Sequence, residues 1–298
     1  MTENSSCDSQ RYRFGYRLQV LSDVPEDFSL PPLKDGWLSA FFMPGDADAL
    51  WKAQVYPPRI YIVTDDTLMV CSHPNAQEAP FVVRLQDLIE VSTKRGLLHG
   101  VLRFHFGDSS QGFQYNGCHQ HYVSEFLRVL RSVWLPYCKA ALPVAARLET
   151  CLGVTYRSWH ALQTELDPDE MLYGVCGLPS LRSEKRRLLF QSVQMLPAIL
   201  LAVTNRRLIA ISMGAGDTDG LYETAVRSTP FRDLAVGTVE SDARGLTVSL
   251  QHTSERAWRF SFEADQLTSV ENFLDLLKQI APCPSGIPAA CSVASGSE

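Results

Sequence analysis

Two stretches of the chain share one pattern: an apolar run, four polar residues beginning with threonine, and a second apolar run. The clearer stretch is AILLAVTNRRLIAIS, residues 198–212, and the weaker is RIYIVTDDTLMVCS, residues 59–72. Each predicts a β-hairpin. In the clearer one, Ile199, Leu201 and Val203 fall on one side of a period-two strand and Leu200 and Ala202 on the other, so both sides are apolar and covered. Thr204 and Asn205 supply turn chemistry through hydrogen bonds to the local backbone, and Arg206 and Arg207 are expected to keep the tip in water. In the weaker one, Thr64 is followed by Asp65, Asp66 and Thr67, with Ile60, Ile62, Leu68 and Val70 as the apolar members. The shape is kept and the charge is reversed.

Neighbouring features repeat in the same order, which is the mark of an internal duplication. Trp37 precedes the acidic stretch 46–48, and Trp159 precedes 167–169. Leu85, Asp87 and Leu88 match Phe231, Asp233 and Leu234; Arg95-Gly96-Leu97 matches Arg244-Gly245-Leu246; EFLRVL at 125–130 matches NFLDLL at 272–277. Each copy reads as six or seven antiparallel strands followed by one amphipathic helix. Tyr122, Phe126, Leu130, Val133 and Trp134 form the stripe of the first helix, with Glu125, Arg128 and Arg131 outward. Val270, Phe273, Leu274, Leu277 and Ile280 form the stripe of the second, with Thr268 and Glu271 at capping-box spacing. Strands closed by a terminal helix predict an α+β class.

The strands around the hairpins are expected at 49–56, 81–91, 171–178 and 229–239, with an extra edge strand at 12–21. Predicted boundaries are an N-terminal extension over 1–32, a first unit over 33–138, a linker over 139–156, a second unit over 157–282 and a patternless tail over 283–298. The second unit holds a loop that the first lacks, LRSEKRRLLF at 181–190.

The apolar strand, Thr-Asn-Arg-Arg-Leu-Ile at 204–209, the further strands and the C-terminal helix resemble the pleckstrin-homology-like superfold, most closely its bacterial PH and GRAM-type members. The resemblance covers the second unit well, the first less well because of its acidic turn, and the first 30 residues not at all. It implies, for each unit, a bent antiparallel sheet or barrel of seven strands plugged by the helix. It also implies a place for a ligand. In lipid-binding members the first loop carries a basic residue, a spacer and a basic-x-Arg element followed by apolar residues, an order that Arg182, Lys185, Arg187, Leu189 and Phe190 follow here. Arg186, Arg206 and Arg207 are the further candidates for that patch.

Composition narrows the function. The chain of 298 residues, 45% apolar and 20% charged, is long enough for two domains with cores of their own. A net charge of −6 argues against a nucleic-acid binder, whose affinity comes mostly from neutralising phosphates. The eight cysteines are scattered without a C-x-x-C pair, as expected of reduced thiols in a cytoplasmic protein. No run is apolar over a membrane-spanning length, and the first residues lack a signal core. Cys118, His119 and His121 lie close together without an evident fourth ligand, so no metal site is expected. No cofactor motif or catalytic elbow is present: MGAGDTDG at 213–220 lacks the strand and lysine of a phosphate loop. The expectation is therefore a non-enzymatic binding or scaffold protein with a protein partner, peripheral at most to a membrane. Recognition of anionic lipid through the 181–190 loop is the rival, and an enzyme whose site is assembled from distant residues is the remaining alternative. Free sheet edges also predict pairing into a homo-oligomer.

Overall fold

The fold is taken from a computed structural model, which describes residues 15–33, 36–45, 56–96, 99–135, 154–187, 190–214, 223–234, 237–242, 245–251 and 257–280. The side chains of Asn75, of 182–195, of Asp233 and of Asp242 stand outside that description. So do the stretches expected as strand at 49–55, most of the linker, the glycine-rich loop from 215 and the tail.

The first half of the chain runs β1 (Tyr16–Leu18), β2 (Ser39–Met43), β3 (Arg59–Val63), β4 (Thr67–Ser72) and β5 (Phe81–Arg84). A 3-10 turn at Leu85–Asp87 leads to β6 (Leu88–Arg95), β7 (His99–Phe106) and β8 (Ser109–Asn116). A further 3-10 turn at Gly117–His119 leads into α1 (Gln120–Trp134). After α2 (Tyr156–Glu165) come β9 (Leu172–Leu178), the ribbon β10 (Leu181–Arg187) and β11 (Phe190–Leu196), then β12 (Ala198–Thr204), β13 (Arg207–Met213) and β14 (Thr224–Pro230). A 3-10 turn at Phe231–Asp233, β15 (Thr238–Asp242), β16 (Gly245–Gln251), β17 (Ala257–Phe262), a 3-10 turn at Ala264–Gln266 and α3 (Leu267–Ile280) complete it. The class is α+β with antiparallel pairing throughout, and none of the sheets closes into a barrel. Leaving aside β1, α2, the ribbon and the 3-10 turns at Leu21–Asp23 and Pro74–Ala76, one order occurs twice: four strands, a 3-10 turn, three strands, a 3-10 turn and a helix.

Alternation along the strands explains two layers of core in each half. Phe41, Tyr61, Val63, Leu68 and Val70 face inward with Phe104, Phe113 and the helix residues Val123, Phe126, Leu130 and Trp134. Their neighbours Ala40, Phe42, Ile60, Ile62 and Met69 face outward and are covered by Leu18, Phe28 and the segment around them. In the second half Leu201, Val203, Leu208 and Ala210 pack on Val248, Trp258 and the α3 stripe. Leu200, Ala202, Ile209 and Ile211 are covered by α2 through Leu162 and Trp159. Each buried aliphatic or aromatic side chain contributes roughly 1.5–3 kcal/mol, so the two helix stripes are a large part of what holds each half together.

The two halves share a sheet. Its order is β8-β7-β6-β14-β13-β12-β9, and the joint is the antiparallel pairing of Val91–Arg95 with Thr224–Ser228. Each core keeps its own helix, but one hydrogen-bonded surface runs through both halves.

Several expectations are corrected. The single strands expected at 81–91 and 229–239 are each broken by a 3-10 turn, because Leu85 and Phe231 plunge into the cores where the chain leaves one sheet for another. The loop expected at 181–190 is a paired ribbon. Trp159 lies in a helix, whereas Trp37 leads directly into a strand, so these tryptophans do not mark equivalent places. Helix α2 escapes the periodicity because its fully buried face is one residue per turn, Ser158, Leu162 and Glu165. Thr268 does not cap α3, since the preceding 3-10 turn runs straight into the helix and places Thr268 inside it. Arg131 points inward.

Gly100, in the interior of β7, is crossed by the ring of Tyr115, and a Cβ there overlaps Cζ and the hydroxyl. The same hydroxyl donates to Gln120 Oε1 at the start of α1. Gly100→Ala is therefore expected to displace the tyrosine and lower stability by about 1–3 kcal/mol in a urea titration.

Candidate functional site

Arg182, Lys185, Arg186 and Arg187 stand on β10, paired in register with Met195, Ser192, Gln191 and Phe190. Among the described residues this two-stranded ribbon joins no other sheet. It extends the β9–β12 ladder, since Leu178 pairs with Ile199 and Leu181 then pairs with Leu196, with Pro179 and Pro197 at the joints. Prolines lack the donor a sheet interior requires, so the ladder is interrupted there and the ribbon becomes a separate element. The backbone thus gathers four basic positions and one acidic one, Glu184, on a single short strand. Their side chains stand outside the description.

Arg206 and Arg207 are placed elsewhere. Rather than wetting the hairpin tip, both are buried, and Arg207 is 0% exposed. Arg207 donates through Nε and Nη2 to Glu170 at 2.8 Å each, through Nη1 to Ser228 Oγ at 2.8 Å, and through Nη2 to the Glu165 carbonyl at 2.7 Å. Arg206 Nη2 meets Asp169 at 2.5 Å and Nη1 lies 3.9 Å from Asp167. Arg131 of α1 completes the group with a bidentate grip on Asp167 at 3.0 and 2.7 Å, and Arg95 of β6 pairs with Glu165. Four arginines face four carboxylates, drawn from both halves of the chain and from the segment following α2. Buried charge of this kind is held by pairing and hydrogen bonding; Asp169 is the member that reaches water, at 54% exposed, and Arg95 Nε is buried without a hydrogen-bond partner. The arginines are spent on internal carboxylates.

A second cluster joins the halves on the shared sheet. Glu90 of β6 accepts from Arg227 at 2.8 and 3.0 Å and from Trp258 Nε1 at 2.9 Å, while the Arg227 guanidinium lies 4.7 Å from the Trp258 ring centre. Burial opposes ionisation of Glu90, but the Arg227 hydrogen bonds outweigh it and hold the carboxyl below the usual range. Arg232 donates to the carbonyls of Leu85, Gln86 and Leu88. A carboxylate inside the apolar run LIEV was the signal in the sequence, but its partner is 137 residues away.

Two open concavities lie at the other hairpin. Asp65 and Asp66 are exposed and stand between two grooves. One, about 520 Å³, is lined by Pro32, Leu33, Trp37, Leu38, Met69 and the turn itself. The other, about 490 Å³, adds Arg84, Gln86, Trp134 and Arg232 to the same acids. Thr64 and Thr67 hydroxyls donate to Asp66 Oδ1 at 3.1 and 2.7 Å and lower its pKa. Cys118 is exposed, His119 is buried and His121 lies against Tyr122; among the described residues no group of three or more potential ligands is placed to hold a metal. Nor, among those residues, is any helix long and apolar enough to cross a membrane. No model of a known protein family matches the chain, and no curated protein matches it.

Two consequences of the arginine cluster are measurable. Arg207→Met leaves Glu170 charged and unpaired in a dry interior, with an expected loss of about 3–5 kcal/mol in urea unfolding. Replacing both partners, Arg207→Met with Glu170→Met, is expected to recover much of it. Burial raises the Glu170 pKa, but the charge and hydrogen bonds of Arg207 outweigh it and bring the group to about 2. A depressed carboxylate stabilises the fold above its unfolded value and loses that contribution as pH falls. The unfolding midpoint is therefore expected to be flat above pH ~5 and to fall between pH ~4.5 and ~2. Glu170→Gln flattens that fall.

Proposed function

We propose that the chain is a non-enzymatic binding protein, a scaffold of two PH-like units that works through contact with another protein. The reading divides it into a first unit over 33–138 and a second over 157–282. The observation that carries it is the twice-met order of four strands, three strands and a helix. The two Thr turns repeat each other's hydrogen bonds as well: Thr67 N donates to Thr64 Oγ1 at 3.0 Å, and Arg207 N donates to Thr204 Oγ1 at 3.1 Å. Units with solid cores and shallow open grooves suit surface recognition better than chemistry on a small molecule, which needs an enclosed pocket with convergent polar groups.

Recognition of anionic lipid is the second reading. What favours it is the ribbon, which concentrates Arg182, Lys185, Arg186 and Arg187 apart from the larger sheets. Against it stands the burial of Arg206 and Arg207, which removes two cations from the patch, and the net charge of −6.

One pair of measurements separates the readings. Under the first, the immobilised full chain retains a defined polypeptide from a lysate of its source cells, competed by free chain, and does not sediment with phosphatidylserine-containing vesicles. Under the second, those vesicles sediment the chain, and changing Arg182, Lys185 and Arg187 together to Ala weakens this on the order of 100-fold, at roughly 1 kcal/mol per basic residue. Sedimentation lost in that variant replaces the protein-binding reading with the lipid one.

A further inference from the structure

The two hairpin turns occupy equivalent places and are treated oppositely by the chain. At the second, the segment following α2 lies across the turn: Asn205 N donates to the Met171 carbonyl at 2.9 Å and Met171 N donates to Asn205 Oδ1 at 3.0 Å. Around this two-way clamp, one bond to backbone and one to the Asn205 side chain, Asp167, Asp169 and Glu170 meet Arg206 and Arg207. An acidic segment thus covers a basic turn, and Asn205, Arg206 and Arg207 are buried.

At the first turn the charge is inverted, with Asp65 and Asp66 in the places of Asn205 and Arg206, and both acids are exposed. Between this turn and the segment before β2 lies the groove of about 520 Å³, whose apolar wall is Pro32, Leu33, Trp37, Leu38 and Met69. Leu38 is 46% exposed, an unusual position for a leucine beside a half-covered tryptophan. Among the described residues lining this groove there is no cation. The groove on the other side of the same acids holds Arg84 and Arg232 and so disfavours a basic ligand.

We infer that the groove beside Asp65 and Asp66 docks a basic, partly apolar polypeptide segment from another protein, its cations meeting the two carboxylates as Arg206 and Arg207 meet the acidic segment at the second turn. The second turn supplies the pattern of charge pairing, while the first half's own segment before β2 forms the groove wall. A lysine or arginine on either side of a small apolar residue meets the two carboxylates, and its apolar neighbours lie on Trp37 and Leu38. This proposal deepens the protein-binding reading and rests on it.

The test uses the full chain and a fluorescein-labelled peptide with the sequence of residues 163–171, carrying Asp167→Lys, Asp169→Lys and Glu170→Lys; the unaltered acidic peptide is the control. Fluorescence anisotropy is expected to show saturable binding of the basic peptide, weakened by salt, and none of the acidic one. Asp65→Asn with Asp66→Asn keeps an acceptor for Thr64 and Thr67 and should unfold at the wild-type midpoint while binding the basic peptide about tenfold more weakly. Leu38→Asp, on the apolar wall, is expected to weaken it as well. Equal binding of both peptides, equal binding to the wild type and the asparagine variant, or no binding of the basic peptide overturns the proposal. The lysate experiment keeps this failure apart from failure of the broader reading: a partner retained equally by wild type and by the asparagine variant leaves the protein-binding reading standing and removes this site.

Discussion

The structure turns on the four arginines and four carboxylates gathered where the two halves meet. Arg131 comes from the helix that closes the first core, Arg95 from the first strand of the shared sheet, and Arg206 and Arg207 from the hairpin of the second half. All reach into one acidic segment, residues 165–170. A buried charge left without its partner is costly, so a relative placement of the halves that separates these partners is disfavoured. The pairing of β6 with β14 is the backbone counterpart of that constraint, and the Glu90–Arg227–Trp258 contact pins the same joint from the other core.

Two units linked only by a tether would present two independent sets of sheet edges. Here an edge strand from one half satisfies the edge of the other, which removes two exposed ladders without a barrel closing. The outer face of the five-stranded sheet of the first half is covered by the N-terminal segment around Phe28, and that of β9, β12, β13 and β14 in the shared sheet by α2. The chain has solved the same burial problem twice with different elements, so the elements with no counterpart across the halves are the covers and the ribbon.

Function in such a body falls to what is left uncovered. The second turn is sealed by the acidic segment, whereas the first is open and acidic beside an apolar wall. The ribbon supplies the opposite sign of charge at a separate place. These are the two surfaces by which the protein-binding and lipid-binding readings stand or fall.

The sequence by itself determined the α+β class, both hairpins and the buried stripe of the second closing helix, because each follows from local periodicity and turn chemistry. Val270, Phe273, Leu274, Leu277 and Ile280 are all buried as their spacing requires. Tertiary structure alone decided where the charges went. Arg131, Arg206 and Arg207 look like solvated residues in any local window, because a guanidinium reads as exposed until its partner is known, and their partners lie 36 to 37 residues away. The sharing of a sheet between the halves was equally hidden. Hydrophobic alternation specifies which face of a strand is buried, and says nothing about which distant strand will take up its edge hydrogen bonds.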